Sequence, residues 1–173
     1  MKMPKAHGIT YDVHFRRRRE GRTNYAKRLA LLKSGKPRMV VRKTNKYVVI
    51  QFVQPGEKGD LTLVTATTKQ LQKACGFPGK CNTPSAYLAG LLAGRRAADK
   101  GVKEFVLDIG LHTATKGSVV FAALKGAVDS GLHADYEKEM VPTEERIRGA
   151  HLNVAALFED AKKRIAGAAG AAK

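Results

Sequence analysis

Three runs decide the fold: Arg38-Met39-Val40-Val41-Arg42-Lys43, Tyr47-Val48-Val49-Ile50-Gln51-Phe52-Val53 and Leu61-Thr62-Leu63-Val64-Thr65-Ala66-Thr67. Each is rich in β-branched and aliphatic residues. Thr44-Asn45-Lys46 separates the first two, and a turn over Gln54-Pro55-Gly56-Glu57-Lys58-Gly59-Asp60 separates the second from the third. That punctuation predicts an antiparallel three-stranded meander. Strict alternation in the third run marks a half-buried strand. Further along, Cys75 to Asn82 contains Gly76, Pro78 and Gly79 and reads as a loop. Thr83-Pro84 then supplies an N-cap and first-turn proline for a helix through Leu88, Leu91 and Leu92 to Lys100, with Gly101 as its stop. Its small residues Ala89, Gly90, Ala93 and Gly94 suit close approach to a sheet. Lys103 to Ile109 reads as a buried strand, Gly110 to Gly117 as a polar loop, and Ser118 to Ser130 as a helix packing Val120, Phe121, Leu124 and Val128.

Helix, strand, helix after a meander predicts an α/β fold with α+β character, a mixed sheet flanked by helices. The loop at the C-terminal end of the Lys103 to Ile109 strand, around His112, Thr113 and Lys116, sits where open α/β sheets take ligands. Beyond it, Thr143-Glu144-Glu145 opens a helical stretch, Arg146 to His151 interrupts it, and Leu152 to Ile165 resumes it. The expected division is a basic arm over residues 1–22, a mixed core over 23–135, a helical segment over 136–166 and a flexible tail over 167–173.

Charge shows what this scaffold holds. The chain has 32 Lys plus Arg against 15 Asp plus Glu, a net charge of +17. Of this, +13 falls between Met1 and Lys46, and the other 127 residues carry only +4. A compact protein with that excess repels itself unless a polyanion supplies counter-charge, and counterions released from that polyanion then drive association. A membrane is the poorer partner, because no apolar run approaches the roughly 18 residues of a span and no leader is expected. Two cysteines, Cys75 and Cys81, are too few for a disulfide framework and are expected as free thiols in the reducing cytoplasm.

Within the arm, Arg16, Arg17, Arg18, Arg19 and Arg22 are too polar and too mutually repulsive to fold alone, so an extended segment is expected until RNA orders it. Four consecutive guanidiniums, each a planar fork matched to phosphate oxygens, can track adjacent phosphates. After Thr23 as N-cap, Tyr25, Leu29 and Leu32 share a helix face, with Lys27, Arg28 and Lys33 around it; Ser34-Gly35 and Pro37 end the helix. Lys36 joins this basic set. With no Trp and 6% aromatics, base stacking cannot dominate, so phosphates and shape should. Tyr25, Tyr47 and His112 are placed to stack on unpaired bases, although core packing is the stronger reading for Tyr47.

Catalytic chemistry is poorly represented. Gly76-Phe77-Pro78-Gly79-Lys80-Cys81 lacks the spacing and the Ser/Thr of a phosphate-binding loop. The cysteines have no second pair for zinc, and His7, His14, His112, His133 and His151 are scattered. Asp108 is the one carboxylate placed as a metal ligand, and a lone acid does not make a two-metal site. No enzyme, cofactor, metal or small-molecule substrate is expected.

The order Arg-Arg-Arg-Arg-Glu-Gly-Arg-Thr-Asn-Tyr (16–25), Leu-Leu-Lys-Ser-Gly-Lys-Pro-Arg (31–38) and Arg-Lys-Thr-Asn-Lys (42–46) resembles the archaeal-type large-subunit ribosomal protein eighteen family. Asn82 to Gly94, Val106 to Leu111 and Arg148-Gly149-Ala150-His151 continue the resemblance in the same order, so that it runs from about Tyr11 to His151. It implies a structural, non-catalytic protein of the cytoplasmic ribosome with a ribonuclease-H-like sheet. It also implies binding to 5S rRNA and anchoring of that RNA to large-subunit rRNA beside ribosomal protein five. Carried over, the arm (Arg16 to Arg19, Arg22, Arg28), the hairpin turn (Arg42, Lys43, Asn45, Lys46) and the loop His112 to Lys116 face RNA.

Overall fold

A computed structural model describes residues 8–57 and 59–167. The arm's first seven residues, Lys58 of the second turn and the tail over 168–173 lie outside the described residues.

The meander forms as its alternation dictates. Strands β1 (Arg38–Lys43), β2 (Val48–Gly56) and β3 (Gly59–Thr67) pair antiparallel. A fourth strand, β4 (Val106–Asp108), lies parallel to β1, giving the order β3-β2-β1-β4 and the expected mixed sheet. The second turn is tighter than its composition suggests: pairing continues through Pro55↔Asp60 to Gly56↔Gly59. Gly59 adopts φ +133, open to a residue without a Cβ, and this lets the chain reverse there. A register shift at Phe52/Val53 absorbs the irregularity. Strand β4 is shorter than the apolar run that predicts it, and Glu104 upstream makes an isolated bridge to His133.

One face of the sheet is covered. Met39, Val41, Ile50, Phe52, Val64 and Ala66 point into a core shared with α4 (Thr83–Asp99) and α5 (Val119–Asp129). Helix α4 starts one residue earlier than predicted, with Asn82 as its N-cap accepting from Ser85 N–H at 3.1 Å. Asparagine is as good an N-cap as threonine, and Pro84 still falls in the first turn. The small residues of α4 serve a different neighbour from the one expected. A Cβ on Gly90 would overlap the Ala123 carbonyl oxygen, and one on Gly94 would meet Ser130 Oγ, so these glycines admit α5 and not the sheet. Gly126 returns the approach from α5 against the Tyr87 carbonyl.

A 3-10 turn (Thr68–Gln70) and a short helix, α3 (Leu71–Cys75), follow β3, and the expected loop begins only at Gly76. The helical segment downstream consists of α6 (Glu144–Arg148), a break at Gly149 (φ +74) and α7 (Ala155–Gly167). Phe158, Ala161 and Ile165 seat α7 on the outer side of α4, with Phe158 against Tyr87 at 5.5 Å between ring centroids. Among the described residues, the opposite face of the sheet receives no such layer. Only α2 (Tyr25–Lys33) and a single turn α1 (Arg16–Arg19) lie near it, and neither has a buried residue.

Candidate nucleic-acid interface

Period-two alternation along β1 puts Arg38, Val40 and Arg42 on the open face, beside Gln51 and Val53 of β2 and Leu107 and Ile109 at β4. Asn24, Lys27, Arg28 and Leu31 of the α2 segment, with Arg17 and Arg22 from before it, form the facing wall, and His112 closes one end. Between them lies a cleft of about 730 Å³. Asn24, and not Thr23, caps α2, accepting from Lys27 N–H at 3.1 Å. The apolar stripe predicted on α2 packs only in part: Tyr25 and Leu32 are half-buried, Leu29 is 56% exposed, and Leu31, outside the stripe, lines the cleft. The helix turns toward the sheet through Arg28, which the cleft floor holds by charge.

That floor is a network of ion pairs. Arg38 is 3% exposed and donates to Asp60 Oδ2 at 2.7 Å and Asp108 Oδ2 at 2.9 Å. Asp108 Oδ1 accepts from Arg42 Nη2 at 3.0 Å and from Gly110 N–H at 2.9 Å. Arg42 Nη1 also donates to the carbonyls of Val41 (2.9 Å) and Asp108 (2.7 Å), and Arg28 reaches Asp60 at 2.8 Å. Three guanidiniums on two carboxylates leave one excess positive charge. The two outer guanidiniums, Arg28 and Arg42, are partly open to the cleft, with side chains 37% and 41% exposed. Gly110 (φ +63) keeps the loop low over Arg42, because a Cβ there would come within 2.9 Å of the guanidinium carbon. Asp108, the sequence's candidate metal ligand, has both carboxylate oxygens occupied by these partners.

Arg16 to Arg19 depart from the extended chain expected of them. They form one helical turn because Glu20 offsets their repulsion, 3.8 Å from Arg16 and 3.3 Å from Arg22, and because the Phe15 ring sits 5.2 Å from Tyr25. Arg17 Nε donates to Thr23 Oγ1 at 2.9 Å, which aims it along the cleft wall. Phe15 is thus the aromatic neighbour of Tyr25 within the arm. Lys36 pairs with Glu104 at 2.8 Å; the bond and the charge of each raise the lysine pKa and lower the carboxyl pKa, so both stay ionised. Lys116 pairs with Glu139 at 2.6 Å, and Thr113 is exposed beside it.

The structure therefore brings Arg17, Arg22, Arg28, Arg42 and His112 together in the cleft. Lys43, Asn45 and Lys46 lie apart from it, at the end of the β1–β2 hairpin, as do Lys36, Thr113 and Lys116 elsewhere. Sequence reasoning passed over Arg38, Asn24 and Lys27 as cleft residues. For Arg38 a signal exists, since i, i+2 and i+4 spacing puts it on the same strand face as Arg42. Both thiols are free; burial pushes each pKa up, opposing thiolate formation.

The model of the family described as ribosomal large subunit proteins 60S L5 and 50S L18 matches residues 9–105 and 98–137. Large ribosomal subunit protein uL18 of Methanothermobacter thermautotrophicus is 52% identical over 147 residues, covering 85% of this chain and 77% of the relative. The uL18 proteins of Caldivirga maquilingensis and Korarchaeum cryptofilum are 50% and 52% identical over 143 residues, covering 82% of this chain and 69% and 73% of theirs. Fold and cleft define a class, a basic α+β protein with one sheet face left open under a wall of cations. The chain belongs to the family of ribosomal large subunit proteins 60S L5 and 50S L18, as its ordered motifs imply. It is a structural component of the large ribosomal subunit in the cytoplasm and not an enzyme.

Proposed function

We propose that the chain binds 5S rRNA in the open-face cleft and helps anchor it to large-subunit rRNA beside ribosomal protein five. The supporting observation is the cleft itself, where Arg17, Arg22, Lys27, Arg28 and Arg42 converge on a sheet face that, among the described residues, no buried helical layer covers. Residues 1–22 act as the binding arm, with Arg16, Arg18 and Arg19 extending the cationic wall and Tyr25 and His112 meeting bases. The core over 23–135 is the platform, and residues 136–166 brace it from the far side.

Anisotropy titration of labelled 5S rRNA, with unlabelled tRNA as competitor at fixed salt, tests this reading. The expected result is tRNA competition roughly 10³-fold weaker than that of 5S rRNA, the low end for specific over non-specific binding. With six to ten phosphate contacts, affinity should also fall about 10³- to 10⁵-fold between 50 and 200 mM salt. Equal competition by tRNA would mean a general RNA chaperone.

A further inference from the structure

The register of β3 carries an irregularity that delivers one acid to the cleft. Phe52 pairs with Val64 and Val53 with Thr62, so Leu63 is an extra residue with no partner on β2. Along a regular strand, residues 60, 62, 64 and 66 would share one face. Val64 and Ala66 lie in the core, 6% and 0% exposed, whereas Asp60 and Thr62 line the cleft on the other face. The bulge at Leu63 makes the difference, re-aiming the side chains that precede it. Without it Asp60 would be directed at the apolar side of the sheet.

On the open face Asp60 meets two guanidiniums through a single oxygen. Its Oδ2 accepts from Arg38 Nη2 at 2.7 Å and from Arg28 Nη2 at 2.8 Å. Arg38 belongs to the sheet and Arg28 to α2, so this oxygen ties the cleft wall to the cleft floor. Little else holds that wall. Helix α2 has nine residues, none of them buried, and a helix this short does not persist alone in water. Among the described residues, Arg28 makes the one side-chain hydrogen bond from α2 to the sheet.

We infer that Asp60 is a positioning and specificity-determining residue for RNA binding: it fixes α2, and with it the Arg28 guanidinium, at one place over the sheet. The inference rests on the reading of the cleft as the 5S rRNA site. A guanidinium held at one place is matched to phosphates at one spacing, whereas one on a loose helix meets those of any RNA. By charge alone the acid opposes every RNA. What it supplies through Arg28 is discrimination.

The test pairs Asp60→Ala with Asp60→Asn in the full chain. Both remove the same charge, but Asn keeps an oxygen that can accept from Arg28 and Arg38. Competition between labelled 5S rRNA and tRNA at fixed salt should show discrimination about three- to fivefold poorer in Asp60→Ala, the most that a partly exposed ion pair supplies. Asp60→Asn should restore most of it. A role in folding alone would lower the competent fraction for both RNAs alike and leave their ratio unmoved. Hydrogen exchange without RNA gives the second readout: amides of α2 should exchange faster in Asp60→Ala, while those of β1 and β2 do not. Arg28→Ala breaks the same tie from the helix side with Asp60 still on Arg38, so it gives the α2 result should Asp60→Ala fail to fold. Wild-type discrimination in both Asp60 variants, or unchanged exchange in α2, overturns the inference. A wild-type chain that prefers 5S rRNA no more than tRNA overturns the reading of the cleft instead, and α2 exchange still decides whether Asp60 holds the helix.

Discussion

Replacing Asp108 with alanine should lower the stability of the fold by about 3 kcal/mol, the lower end of what breaking a buried ion pair costs. Arg38, 3% exposed, would lose one of its two carboxylates, and its Nε already has no partner among the described residues. Gly110 N–H would lose its acceptor as well. Asp60 remains 2.7 Å from Arg38, which keeps the loss at the lower end of the range. For a chain of this length that corresponds to a melting temperature lower by roughly 6 to 12 °C. Urea denaturation should show the midpoint move with the slope unchanged. An Arg38→Met/Asp108→Leu variant removes both buried charges together and should recover most of the loss, because an apolar pair avoids the desolvation that the ion pair incurs. If Asp108→Ala unfolds within about 0.5 kcal/mol of wild type, the ordinary range for surface substitutions, the network does not hold the cleft floor.

The arm should give the largest effect on binding. Replacing Arg16, Arg17, Arg18, Arg19 and Arg22 with glutamine removes five exposed cations and no buried group. If each meets a phosphate, the salt slope falls by about 3.5 to 4.5, and the affinity lost between 50 and 200 mM salt shrinks by roughly 10²- to 10³-fold. Unfolding by urea should be unchanged, since nothing in the core contacts these side chains. An unaltered salt slope would remove the arm from the interface; a lost fold would show that the single turn of α1 braces the sheet.

How far the residues alone disclose this arrangement depends on the range of the interaction. The meander and helices α4 and α5 are written in local periodicity and turn chemistry, and they form within one to three residues of the predicted bounds, the largest difference being β2, which runs on from Val53 to Gly56. Helix α3 was not legible, since Leu71 and Cys75 are its only buried positions and five residues carry no period. Arg28 and Arg42 were legible as cations, but their acids lie 32 and 66 residues away, so no spacing rule discloses that both are paired inside the protein. The same applies to Lys36 and Lys116, paired with Glu104 and Glu139. The extended reading of Arg16 to Arg19 counted their repulsion and not the relief supplied by Glu20 and the Phe15–Tyr25 contact.

Ultraviolet cross-linking of 5S rRNA to the full chain, with adducts located by mass spectrometry of the peptides, tests the cleft most directly. The account predicts adducts within residues 16–28 and at His112, where the arm, α2 and the loop after β4 face the open sheet. Adducts confined to α6 and α7, on the far side of the covered face, would contradict it.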